Sequence, residues 1–289
     1  MSQAAKFRAL LSSGKTIIAP GTIDGITGRL VEQAGFSAAY MTGAGTSATL
    51  GYPDYGLVTM TEMVANATRI VNSIGIPLIS DSDTGYGNEL NVFRTVQEFE
   101  RAGVAAIHIE DQVFPKKCGH LDNKELVSRE DYVAKIRAAA AARKSKDFCI
   151  IARTDARAVA GLDEAVERVN AALANGADVA FVEAPQSMEE LVAVPKRVKG
   201  PCLLNVVRGG KTPAFDIGEA ERMGYAIAIV PGLLLGGIIS TCDRLLADLK
   251  QGKLPPVSGS PGGTFARFGA ADWDKRRTAF RDEVKQAAE

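Results

Sequence analysis

The chain has 289 residues, 46% of them apolar, with 34 acidic and 34 basic side chains. That balance leaves no basic footprint for nucleic acid, and no apolar run is long enough to span a bilayer. The length suits one (β/α)8 barrel with an extension.

In chain order, MSQAAKFRALLSSGK comes first and lacks the apolar core and cleavage site of a secretory signal. Its Phe7, Leu10 and Leu11 predict a short amphipathic helix. Eight apolar, strand-like runs follow, at 16–23, 37–43, 76–83, 105–111, 147–156, 178–185, 202–209 and 226–232. Each is followed by a helical segment. Caps are readable at Thr59 with Glu62, at Ser187 with Glu190, and at Ser128. In DEAVERVNAALANG, the residues Ala165, Val166, Val169, Ala172 and Leu173 share a face, and Gly176 ends the helix. Nearly continuous apolar strands are those of a parallel sheet covered on both faces. The pattern predicts an α/β, TIM-type (β/α)8 barrel over a doubly wound open sheet, because no glycine-rich phosphate loop follows the first strand.

Residues 1–252 make the expected catalytic barrel with its N-terminal helix. Residues 253–289 hold a Pro/Gly-rich linker and a further helix with Trp273 and Phe280 at i and i+7. A ninth helix has nothing left to cover on its own barrel, so its expected role is oligomerisation. The cysteines, Cys118, Cys149, Cys202 and Cys242, form no CxxC pair, and a reducing, cytoplasmic setting is the expectation. Cys149 and Cys202 sit in strand-like runs and read as buried.

Polar residues gather where the strands end: Tyr40, Asp81 and Asp83, His108 with Glu110 and Asp111, Arg153 with Asp155, Glu183, and Asn205 with Arg208. Residues two apart in a strand share a face, and the C-terminal strand ends of such a barrel form the active-site mouth. The competing reading is a rim of structural ion pairs. Asp81, Asp83 and Glu110 make an all-oxygen cluster suited to Mg2+, with Mn2+ as a substitute; a proton-sharing carboxylate pair is the alternative. Arg153 and Lys116 or Lys117 face that cluster and suit a small, multiply anionic substrate. The backbone of TGAG, residues 42–45, offers N–H groups to a further carboxylate.

KKCGH, residues 116–120, follows the fourth strand. Cys118 and His120 are too close together for a zinc motif. A protonated thiol can donate to a carbanion, with Lys116, Lys117 and His120 favouring the thiolate left behind. A nucleophile and an inert loop cysteine stand as the other readings.

These motifs resemble the isocitrate lyase and phosphoenolpyruvate mutase superfamily, and most of all its short lyases of the 2-methylisocitrate, 2,3-dimethylmalate and alkylmalate type. The resemblance runs from about residue 6 to 250 and rests on KKCGH, DSDTGYGN, HIEDQ, ARTDA, VEAPQ and GGKTP in the same order. It implies a Mg2+-dependent carbon–carbon cleavage of a 2-hydroxy di- or tricarboxylate to pyruvate or glyoxylate plus a carboxylate. By position, Asp81, Asp83 and Glu110 serve the metal, with Asp54 in the same polar shell. Tyr40, Thr42, Gly43 and Ala44 line the oxo-acid half, and Tyr40 is a candidate base. Arg153 binds a carboxylate, and Glu183 and Asn205 hold the departing half. Cys118 is the proton donor, supported by Lys116 and His120, and Gly119 is among the substrate-binding residues. The resemblance also implies a homotetramer that swaps a C-terminal helix, with neither nucleic acid nor membrane as partner. Arg208 departs from the family pattern and is expected near the half of the site that sets substrate identity. Pro231 stands where oxaloacetate-hydrolysing relatives tend to have Ser, and so leans toward lyase. An oxaloacetate hydrolase or decarboxylase, a phosphonate mutase, and a dicarboxylate binder without turnover are the alternatives.

Overall fold

The computed structural model describes residues 1–288 apart from Asp122, Pro255, Val257 and Ser258. Eight parallel strands close into a barrel in chain order: β1 (Ile17–Thr22), β2 (Ala39–Met41), β3 (Leu78–Asp81), β4 (Ala106–Glu110), β5 (Cys149–Thr154), β6 (Val179–Val182), β7 (Cys202–Asn205) and β8 (Ile227–Val230). Closure is made by β1 on β8, with Ile17 opposite Ile227 and Ala19 opposite Ile229. This is the TIM-type fold the eight apolar runs predict. Every strand lies inside its predicted run, and the seventh run stops early, at Asn205, where Val206–Arg208 leave the sheet.

The helices are α1 (Gln3–Leu11), α2 (Gly25–Gln33), α3 (Gly43–Thr49), α4 (Met60–Ser73), α5 (Glu89–Arg101), α6 (Arg129–Ala142) and α7 (Ala156–Val159). After them come α8 (Leu162–Ala174), α9 (Met188–Arg197), α10 (Glu219–Met223), α11 (Leu233–Lys250), α12 (Pro261–Ala266) and α13 (Ala270–Ala288). Thr59 and Glu62 form the expected reciprocal capping box at α4, and the Ser128 side chain accepts from the N–H of Asp131 at α6. Ser187 caps α9, and the Glu190 carboxylate accepts the N–H of Gln186 rather than that of Ser187, while it pairs with Arg157 at 2.7 Å to both Nε and Nη2. Both predicted strand cysteines, Cys149 and Cys202, are buried.

Alternate strand residues fill the barrel: Ile17 and Ala19, Tyr40, Ile79, Ala106, Ile151, Phe181, Leu203 and Ile229 belong to one apolar cluster. Phe7 of α1 joins it and is fully buried. Covering a phenyl ring so completely contributes about 1.5–3 kcal/mol, which gives the N-terminal helix a structural role. The same alternation, continued toward the C-terminal strand ends, turns from apolar to polar and builds the site.

Two compact units emerge, Met1–Gly237 and Ile238–Glu289. Their division falls inside α11, which has no buried residue. The predicted linker lies partly outside the described residues, and α12 forms within it. In the second unit Trp273 and Phe280 are exposed, at 66% and 65%, and the Arg276 guanidinium sits over the Trp273 ring at 4.9 Å. Among the described residues, no helix is long and apolar enough to cross a membrane.

Candidate active site

A cavity of about 150 Å3 opens at the C-terminal strand ends of the barrel. Tyr40, Asp81, Arg153, Glu183 and Asn205 reach it from the ends of β2, β3, β5, β6 and β7, and Asp54, Lys116, Cys118, Gly119 and His120 cover it from loops. Thr42 and Ala44 also line it, whereas Asp83 and Glu110 lie beneath its wall and Gly43 backs Asp81. Pro231 lines it as well. Arg208 does not: its side chain is exposed and lines a separate apolar cavity of about 930 Å3. The sequence reading placed Arg208 at the substrate because it treated 202–209 as one strand. The chain leaves the sheet after Asn205 and carries Arg208 away. The larger cavity has no acid or histidine among its lining residues, so the chemistry belongs to the smaller one.

The TGAG segment is the start of α3 rather than a loop. The N–H of Gly43 donates to Asp81 Oδ2 at 3.1 Å, so that donor serves a protein carboxylate. A Cβ at Gly43 would lie 2.4 Å from the same oxygen, and a side chain there would push Asp81 away. Asp83 sits just past β3 with φ +47°, a conformation uncommon outside glycine. Its N–H donates back to Asp81 Oδ1 at 3.0 Å, which offsets part of that cost.

Lys116 is buried between the acids, 2.9 Å from Asp83 Oδ1 and in an ion pair with Asp54. Burial opposes its charge, but Asp83, Asp81, Asp54 and Glu110 outweigh that and push its pKa well up. Burial also works against ionisation of Asp81, yet His108, Lys116 and Arg153 hold it down to about 2. Burial pushes His108 itself down to about 4, so at neutral pH Lys116 and Arg153 are the charged partners of Asp81. Burial raises Asp83 to about 6, with Asp81 adding to the rise and Lys116 opposing it.

Glu110 is buried 3.2 Å from Arg153 Nε, and burial pushes its carboxyl well up. Neither of its carboxylate oxygens has a hydrogen-bond partner, nor have the buried Thr84 and Tyr86 hydroxyls. Asp83 Oδ1 meets Lys116 as an ion pair without hydrogen-bond alignment. Orphaned, all-oxygen groups of this kind suit a hard divalent cation with its waters. Among the described residues, the acids do not stand as an assembled ligand set; the ammonium of Lys116 balances Asp54 and Asp83.

Tyr40 and His108 share a buried hydrogen bond, 2.8 Å from hydroxyl to Nε2. Burial, then Asp81, push the phenol well above its ordinary range, so Tyr40 is no standing phenolate. As a base it needs an outlet for its proton, and His108 is beside it. Sequence reasoning placed His108 on the face of Glu110 but gave it no role.

On the far side, Asn205 Nδ2 donates to both Glu183 oxygens at 3.2 Å. Burial opposes ionisation of Glu183, but Arg153 and His120 bring it down to about 2. His120 Nδ1 accepts the Lys211 N–H at 3.1 Å, and Nε2 lies 3.3 Å from Glu183 Oε1. Cys118 is half-buried, and burial raises its thiol pKa. The stretch that holds it is tied at its base, where Val113 N–H donates to Glu125 O at 2.8 Å. The Gln112 side chain also bonds both the N–H and the C=O of Lys117.

A closed parallel barrel whose C-terminal mouth gathers buried acids, cations, a tyrosine and a thiol has the layout of an enzyme active site. The phosphoenolpyruvate phosphomutase family model matches residues 7–249. The chain is 52% identical to a 2,3-dimethylmalate lyase of Eubacterium barkeri over 80% of each chain. It is 43% identical to a 2-methylisocitrate lyase of Aeropyrum pernix over 84% of this chain and 79% of that one. Among solved structures, an oxaloacetate acetylhydrolase in complex with 3,3-difluorooxalacetate superposes with a TM-score of 0.93. It is 39% identical, and the match covers 96% of this chain and 97% of that one. A phosphonopyruvate hydrolase in complex with oxalate and Mg2+ superposes with a TM-score of 0.85 at 31% identity, over 96% and 98%. The chain belongs to the phosphoenolpyruvate mutase/isocitrate lyase superfamily and is an enzyme of its lyase branch.

Proposed function

We propose that the protein is a Mg2+-dependent carbon–carbon lyase acting on a 2-hydroxy dicarboxylate with an alkyl group at C3, as in 2,3-dimethylmalate. The observation that carries this is the lining of the 150 Å3 cavity. Its volume lies below the ~300–1,000 Å3 of larger ligand sites. Lys116 is already taken by Asp54 and Asp83, and Arg153 is the guanidinium at the cavity. Beside Asn205 the wall is Val207, Pro231 and Leu235. A methyl group against that wall gains about 0.8 kcal/mol, whereas a third carboxylate there is buried without a partner. A 2-methylisocitrate-like tricarboxylate is therefore the poorer fit.

Asp81, Asp83 and Glu110 would hold the metal, which supplies Lewis-acid stabilisation of the oxygen that becomes the ketone. Tyr40 stands in the oxo-acid half and takes the 2-hydroxyl proton as it passes its own to His108. The C2–C3 bond then breaks, its electron pair goes to C3 and the adjacent carboxylate, and pyruvate forms from the other half. Cys118 gives its proton to C3, which releases the second fragment as a saturated acid. Arg153, whose Nε and Nη2 are held by Asp155, would orient a substrate carboxylate with its remaining N–H groups, while Glu183 and Asn205 border the departing half. The likeness to an oxaloacetate acetylhydrolase supports a second reading, hydrolysis of oxaloacetate on the same scaffold. Pro231 in the cavity wall weighs toward cleavage without water.

For assembly, we propose a homotetramer in which C-terminal helices pass between neighbours. The exposed Trp273 and Phe280 support it.

The deciding experiment is a panel of 2,3-dimethylmalate, 2-methylisocitrate, isocitrate, oxaloacetate and phosphonopyruvate, with pyruvate, glyoxylate and oxalate detected separately. Pyruvate from the dimethylmalate with the highest kcat/KM is the expected result. A preference for the tricarboxylate, or oxalate from oxaloacetate as the main product, would reject the reading.

A further inference from the structure

We infer that Lys124 is a positioning residue for the reaction, tying the backbone beside Cys118 to Asp155 and, through Asp155, to Arg153. The Lys124 side chain is only 1% exposed. Its ammonium donates to Asp155 Oδ1 at 2.6 Å and to the carbonyl of Gly119. Asp155 Oδ2 in turn accepts Arg153 Nε at 3.0 Å. One carboxylate thus serves two cations. One of them holds the chain next to the thiol, and the other faces the cavity.

The anchor is itself fixed. Asp155 donates its N–H to Asp111 Oδ1 at 2.8 Å, and Asp111 Oδ2 is held by the Thr154 hydroxyl at 2.5 Å and by Arg168 Nη1 at 3.1 Å. Asp155 therefore cannot follow a displaced Gly119 without breaking a second buried cluster. The other side of Gly119 is equally tight: a Cβ there would lie 2.4 Å from Arg153 Nη2 and 2.5 Å from Glu183 Oε1. Bare backbone is pressed onto the Arg153–Glu183 pair, and Lys124 holds it there from behind. A buried ammonium is costly without such partners, and lysine, a compact charge with several donors, serves two acceptors at once. Through this chain of contacts the placing of Cys118 and the aim of Arg153 depend on the same ion.

The inference rests on the proposed role of Cys118 as proton donor, and the test separates the two. The full-length protein is treated with iodoacetamide at neutral pH, and alkylation is read at each cysteine by peptide mass spectrometry. K124M removes a charge-assisted hydrogen bond to Gly119, so Cys118 should react about tenfold faster. The rate at exposed Cys242 should stay unchanged. K124R keeps the charge in a bulkier group, so its Cys118 rate should fall between those of K124M and the wild type. Turnover by K124M should lose kcat far more than it raises KM. If K124M also exposed Cys149 and Cys202 to alkylation, its fold would have failed; K124Q then replaces it, with the same expectation. G119A, whose Cβ collides with Arg153 and Glu183, should raise the Cys118 rate alone, and K124M added to it should raise it no further. An unchanged Cys118 rate in the Lys124 variants, additive rises in the double variant, or a raised rate with unaltered kcat would each overturn the inference. Alkylation needs no substrate, so this arm reads the tie even if the proposed reaction is wrong.

Discussion

The Lys211 N–H donates to His120 Nδ1 over 3.1 Å, which leaves Nε2 as the protonated nitrogen, 3.3 Å from Glu183 Oε1. A backbone group on the loop after β7 thereby selects the tautomer of a side chain beside Cys118. Second partners of this kind commonly fix how a histidine presents its other nitrogen.

That relationship predicts a difference between two substitutions. Glutamine places its amide nitrogen near the Nε2 position and can still face Glu183. Asparagine reaches only the Nδ1 position and keeps the contact to Lys211. His120 Nε2 meets Glu183 as a close contact without hydrogen-bond alignment, so H120N should lose about tenfold in kcat/KM. H120Q should lose clearly less. Steady-state kinetics of the pair decide it, and an H120N enzyme as active as H120Q would remove Glu183 as the partner that matters.

The buried acids predict a metal requirement. A chelator should stop turnover, and Mg2+ or Mn2+ should restore it. Binding at Asp81, Asp83 and Glu110 should also stabilise the fold, by about 2.7 kcal/mol at a hundred times the dissociation constant. A thermal melt with and without Mg2+ reads this independently of activity. Full turnover in the presence of chelator would reject the assignment.

Much of this site was legible in the sequence, because strand alternation ties face to residue parity. Asp81, Glu110, Arg153, Glu183 and Asn205 all follow from it and all converge. The failures share a cause too. Arg208 was assigned by extending β7 past Asn205, where the apolar run continues through Val207 although the last bond to β8 is made by the Val206 N–H to Ile229 O. Asp155 was placed on the face of Arg153 by that alternation, but Lys124 was passed over because its partners, the Gly119 carbonyl and Asp155, are set by how a loop folds back over the barrel, which no periodicity encodes.

The exposed aromatic residues of α13 predict assembly. Exposed apolar groups of this size commonly mark protein–protein contacts. Deleting residues 256–289 should lower the solution mass below that of the full chain by more than the deleted segment itself. Light scattering coupled to size exclusion measures this. A truncated chain with the same number of subunits would reject the swapped-helix tetramer.

The thiol of Cys118 predicts the alkaline limb of the pH profile. Burial is the main cause of its raised pKa, and the charges of Asp54 and Glu183 add to the rise, while the His120 N–H and Arg153 oppose it. An ordinary cysteine titrates near ~8.5; this one stays protonated beyond that. A proton donor works only while it holds its proton, so kcat/KM should fall as pH rises through a value above about 8.5. C118A should lose about 10²–10⁴-fold in turnover and still bind oxalate, as followed by calorimetry. C118S, with a hydroxyl that does not ionise in this range, should lack the limb in whatever activity remains. An alkaline limb below the ordinary thiol value, or one unchanged in C118S, would assign it to another group and end the case for Cys118 as the acid.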